Sequence, residues 1–148
     1  MQPEKINTPV SRHEVEAAVR DYWKASTGKA AEKQSEWFAE NAVIFATSSK
    51  RLEPGRLVSQ RRKREYLTGA TEMQVQIGSI EVELLDPNHA VAVYTIQLDA
   101  KQVVKPSASG QKAAEEHLAN ARVTHVFGRG RAGNLEILHE HISAPVHD

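Results

Sequence analysis

The chain has 148 residues, 19 Lys+Arg against 19 Asp+Glu, and no cysteine. Its 40% hydrophobic and 26% charged content excludes wholesale disorder, and the length suits one domain over 1–148 with a core of about 11–145. The missing cysteines exclude disulfides and thiolate chemistry, and the balanced charge argues against a nucleic-acid partner. The lack of an apolar run near 20 residues, or of an apolar start in Met1 to Val10, leads us to expect no membrane partner and a cytoplasmic protein.

The first element is a helix from about Ser11 to Thr27. Val15, Ala18, Val19, Tyr22 and Trp23 form its apolar stripe. Ser11 and Glu14 have capping-box spacing, Val10 and Val15 occupy the staple positions, and Gly28 supplies the stop. A second helix is expected from about Lys29 to Ala39, with Ala30, Gln34, Trp37 and Phe38 on its buried side and Asn41 as terminator. Ala42 to Thr47 reads as a strand buried on both faces. Glu53-Pro54-Gly55 is a turn, and Arg56 to Leu67 a third helix closed by Gly69.

The period then becomes two. Met73, Val75 and Ile77 alternate, and Ile80, Val82 and Leu84 resume the pattern one residue out of phase. Gly78-Ser79 sits at the break, so a β-bulge is predicted there. Asp86 to His89 is a turn and Ala90 to Leu98 a strand. Lys101 to Leu118, with Pro106 and Gly110, is a long excursion, in part an extended hairpin. Ala121 to Phe127 is a strand, Gly128 to Asn134 a glycine-rich turn, and Leu135 to Ile142 the last strand. Helices first and strands after give an α+β fold, helices on one face of a curved sheet.

The ending Arg122-Val-Thr-His125, a glycine turn, then Leu135-Glu-Ile-Leu-His139-Glu-His141-Ile-Ser143-Ala-Pro145 resembles the end of SnoaL-like domains of the nuclear transport factor 2-like superfamily. It is also similar to the association domain of calcium/calmodulin-dependent kinase II. The resemblance covers about Ser11 to Pro145. It implies a cone-shaped, curved antiparallel sheet with three N-terminal helices on its concave face, a pocket between them, and a homodimer or larger assembly. It does not fix function, because this fold hosts both enzymes and binding modules. The position where isomerase-like members carry an acidic base matches Ala46, which cannot move a proton. The family's tyrosine acid matches Tyr22, and its second oxyanion donor matches His125.

The candidate ligand-binding residues are Tyr22, Trp37, Arg122, His125, Glu140 and Ile142, and the candidate catalytic residues Tyr22, His125 and Glu140. Arg122 matches a pocket arginine of the kinase association domain and offers a planar fork for a carboxylate. Three residues separate it from His125, so on a regular strand only one of the two faces the pocket. Glu140 falls with Leu138 and Ile142; in an apolar pocket its pKa would rise, whereas a salt bridge to Arg122 is the plainer reading. His139 and His141 fall on one face with Leu135, Ile137 and Ser143, and with His125 they make a conceivable metal cluster. The favoured reading has no metal and no cofactor. Arg61-Arg62-Lys63-Arg64 reads as a solvated helix surface. The functional expectation is a binding or assembly module for a small organic ligand; the alternative is a cofactor-free isomerase, cyclase or dehydratase acting on a hydrophobic carbonyl compound.

Overall fold

The computed structural model describes residues 8–27, 36–45, 53–54, 71–102, 115–130 and 132–144. Helix α1 spans Arg12–Thr27. The Glu14 N–H donates to Ser11 Oγ at 3.1 Å, so Ser11 caps the helix. The Glu14 carboxylate leaves the capping box and meets Arg129 Nη2 at 2.9 Å. Val10 and Val15 are both buried, as a staple requires, and the Val10 N–H donates to Pro87 O at 2.9 Å.

Among the described residues seven strands follow: β1 (Phe38–Phe45), β2 (Glu53–Pro54), β3 (Thr71–Ile77), β4 (Glu81–Asp86), β5 (His89–Gln102), β6 (Glu115–Arg129) and β7 (Leu135–Ser143). They form one sheet in the order β2-β1-β7-β6-β5-β3, with β4 pairing β5 beyond β3. The fold is α+β, but the sheet is mixed, not wholly antiparallel, because β1 runs parallel to β7. No turn joins those two strands, so nothing local in the sequence sets their relative direction.

The described residues contain one α-helix where three were expected. The second prediction fails at its end: Phe38 and Ala39 begin β1, and Asn41 lies within that strand and does not end a helix. Residues 29–35 and the whole third helix, 56–67, lie outside the described residues, as does the basic cluster 61–64. Pro54 and Glu53 pair antiparallel with Val43 and Ile44 instead of turning. In β1, Ala42 and Ile44 are buried while Phe45 is exposed, so this strand has one buried face and not two.

Besides shifts within the β1–β7 and β4–β5 pairings, three further register shifts shape the sheet. Ile77 pairs Ile96 and Glu81 pairs Val93, so four steps along the β3–β4 segment match three along β5. This is the bulge expected at Gly78-Ser79. A Cβ on Gly78 would lie 2.6 Å from Thr95 Oγ1, so the backbone approach needs glycine. On the other side of β5, Ile96 pairs Ala121 and Leu98 pairs Leu118, leaving one extra residue in β6. Asn120, at φ 54°, absorbs it in the left-handed region that asparagine tolerates. The excursion expected at 101–118 is thus a long β5–β6 hairpin at both its ends, with 103–114 outside the described residues. The third shift lies in β7. Val126 pairs His139 and Phe127 pairs Ile137, so Leu138 is the extra residue.

The core forms where α1 crosses the sheet. Val15, Val19, Tyr22 and Trp23 from the helix join Phe38, Ile44, Tyr94, Ile96, Phe127 and Ile137 from the strands. No helix among the described residues is long and apolar enough to cross a membrane.

Candidate functional site

The bulge at Leu138 decides which side chains of β7 enter this core. Leu135 and Ile137 are buried before it, Glu140 and Ile142 after it. Glu140 lies three residues after Ile137, so on a strand without a bulge it would fall on the opposite face. With it, Glu140 sits directly across from His125, and both are fully buried. The same shift turns His139 and His141 away. His141 is exposed and stacks obliquely on Phe45, ring centroids 5.9 Å apart, on the face opposite His125. The three histidines therefore do not meet, and no metal-holding cluster of His, Cys, Asp or Glu occurs among the described residues.

Glu140 Oε1 is the centre of the site. The Tyr22 hydroxyl, carried on the inner face of α1, donates to it at 2.6 Å. His125 Nε2 lies 3.0 Å from the same oxygen. On the far side of the imidazole, Nδ1 is 3.0 Å from the hydroxyl of Tyr94, and that hydroxyl accepts the Trp23 indole N–H at 2.7 Å. A chain of five side chains thus runs Trp23, Tyr94, His125, Glu140, Tyr22, all 5% exposed or less. Apolar rings close around it. Tyr22 meets His125 edge to face at 4.9 Å and Phe38 at 6.0 Å, and His125 meets Phe127 at 5.5 Å. Burial pushes the Tyr94 hydroxyl far above the ordinary tyrosine range, the Trp23 N–H pulls it partly back, and the Glu140 charge raises it further. Tyr94 therefore stays protonated at any ordinary pH.

Of the residues singled out in the sequence, Tyr22, His125 and Glu140 come together, and Ile142 is buried on the same face of β7. Arg122 does not join them. It pairs with Ser143, is exposed, and lies on the opposite face from His125, so the cross-hairpin partner of Glu140 is His125 and the expected salt bridge to Arg122 does not form. Glu36 and Trp37 have 3-10 backbone immediately before β1. There Trp37 lines an open cleft of about 570 Å³ with Ala17, Asp21, Glu36 and Leu135, a cleft that contains none of the five network residues. Ala46 lies outside the described residues. Sequence reading missed Trp23 and Tyr94 as members of the site. The available signal was Tyr94 itself, the one polar side chain on the Ala92–Ile96 face of its strand.

No protein-family model matches the sequence, and no curated protein matches it significantly. Solved structures do match. A calcium/calmodulin-dependent protein kinase II association domain-like protein of Xanthomonas campestris is 24% identical, with TM-score 0.67 over 94% of this chain and 91% of its own. A scytalone dehydratase-like protein of Novosphingobium aromaticivorans is 9% identical, with TM-score 0.67 over 90% and 83%. A Catenulispora acidiphila protein in complex with S-DNPA is 14% identical, with TM-score 0.66 over 89% and 91%. Further neighbours bear the descriptions NTF2-like and cystatin-like. At such identities the likeness establishes the fold, which is that of the nuclear transport factor 2-like and SnoaL-like proteins.

Proposed function

We propose that this chain is a small-molecule-binding domain whose polar recognition point is the Tyr22–His125–Glu140 cluster. The observation that carries the reading is the convergence of two side chains from separate elements on one buried carboxylate oxygen. A fully buried carboxylate is costly, and an apolar substitute of similar volume is often as stable or more so. Its presence among Phe38, Ile44, Phe127 and Ile142 therefore favours a role beyond packing. Tyr22 and His125 both meet Glu140 Oε1, so a ligand with an acceptor oxygen, a small carboxylate or a cyclic ketone, would compete with that carboxylate for their hydrogens. The neighbour crystallised with S-DNPA is consistent with small-molecule binding on this fold.

The second reading, a cofactor-free acid–base enzyme, is favoured by one specific feature. Glu140 lies within hydrogen-bond reach of both a phenol and an imidazole, the arrangement a general base with two oxygen-polarising partners needs. Against it, Glu140 Oε1 already serves two protein groups. Screening carboxylates and cyclic ketones for a rise in melting temperature tests binding. Following deuterium uptake from solvent at the carbon beside the ketone tests the enzyme reading. We further infer self-association through the outer face of the sheet, where Val93 is 45% and Phe45 36% exposed.

A further inference from the structure

The hydrogen-bond chain has a direction. Trp23 Nε1 can only donate, so the Tyr94 oxygen must accept from it. Among the described residues the Tyr94 oxygen has one other polar neighbour, His125 Nδ1. The Tyr94 proton therefore points at Nδ1, which must accept with its lone pair. A neutral imidazole that accepts at Nδ1 carries its proton on Nε2, and Nε2 faces Glu140 Oε1. The sequence of donors is Trp23 to Tyr94 to His125 to Glu140, met from the other side by Tyr22.

We propose that Trp23 and Tyr94 are positioning residues that lock His125 in its neutral, Nε2–H form, making it a fixed hydrogen-bond donor at the site and leaving Glu140 as the proton acceptor among the described side chains there. The proposal rests on the recognition point inferred above and deepens it, because it sets the ligand class. With its Nδ1 lone pair held by Tyr94 and its Nε2 bearing hydrogen, the imidazole offers a ligand no basic atom. The chain also ends at an indole, which has no second proton to pass on, so it cannot serve as a relay through Tyr94. The Tyr22 and His125 hydrogens both go to Glu140 Oε1, so a ligand that engages them must present an acceptor oxygen that draws one away from the carboxylate. The imidazole has no lone pair left for an amine, and among the described side chains of the site Glu140 alone could abstract a proton.

The test is a long-range nitrogen–proton NMR spectrum of the imidazoles in uniformly labelled protein near neutral pH. The expected His125 pattern has a pyrrole-type Nε2 and a pyridine-type Nδ1. A pyrrole-type Nδ1, or both nitrogens protonated, overturns the proposal. In Tyr94→Phe, which keeps the ring, Nδ1 loses its donor and its signal should move toward the pyrrole type as the other tautomer or the cation becomes populated. Trp23→Phe should do the same more weakly, by freeing Tyr94 to turn. Backbone amide spectra of the same samples report whether each variant is folded. If folded variants keep the parent imidazole pattern, Trp23 and Tyr94 do not set the tautomer and the proposal falls. The spectrum needs no ligand, so this result is separate from the outcome of any ligand screen.

Discussion

Glu140 shows how much one residue's setting depends on its neighbours. Glutamate is almost never fully buried unless it is paired, and here His125 and Tyr22 pair it. The sequence marked these three residues as candidates, yet it favoured Arg122 as the partner of Glu140. The error has a physical source. Strand parity counted back from Glu140 assumes a regular β7, and the extra residue at Leu138 breaks that count. Tyr94 carries a prediction of its own. Burial holds its hydroxyl protonated well above the ordinary tyrosine range in the folded chain, whereas in the unfolded chain it ionises near pH 10. A raised folded pKa contributes stability that is complete below about pH 10 and drains away as pH rises beyond it. Urea midpoints measured from pH 8 to 11.5 should fall with pH in the parent, and fall less steeply in Tyr94→Phe. The variant should also lose about 1–3 kcal/mol at neutral pH, because the Trp23 N–H is left without an acceptor. Equal slopes above pH 10 would contradict the assignment.

At the level of elements, what could be read from the sequence depended on whether the cause was local. α1 was legible because its stripe, cap and staple lie within a few residues of one another. The bulge at Gly78 was legible because the apolar alternation changes phase there. The bulge at Leu138 left no such trace, since Leu135, Ile137, Leu138 and Ile142 are apolar in either phase. The parallel β1–β7 pairing joins segments far apart in the chain, so no turn encodes it. The bulge can be tested directly. Deleting Leu138 makes the ladder regular and leaves Glu140 two residues from Ile137, so both still face the core while His139 and His141 stay outside. The deletion variant should therefore keep cooperative thermal unfolding. Leu138→Ala keeps the register and should still melt cooperatively, at a cost of about 1–3 kcal/mol for a half-buried leucine. A deletion variant that loses cooperative unfolding while Leu138→Ala keeps it would mean that Leu138 is not the extra residue of β7.

On the scale of the whole molecule, α1 covers one face of the sheet and leaves the other with Phe45, Val93, Thr95 and Arg122 exposed. If that face joins a second copy, sedimentation at micromolar concentration should give a mass above 16.4 kDa. Val93→Lys with Phe45→Lys should return it to that value, and a parent that sediments as a monomer would refute the interface. The same division into faces sets the most direct test of the binding account. Affinity for small carboxylates and cyclic ketones should be measured by calorimetry on the parent, Tyr22→Phe and Arg122→Ala. Loss of one buried donor is worth about 1–3 kcal/mol, or roughly five- to 150-fold in affinity. The account predicts that weakening in Tyr22→Phe, and parent-like binding in Arg122→Ala, whose side chain lies on the far face. Binding that is equal in the parent and Tyr22→Phe, or that is lost in Arg122→Ala, would contradict it.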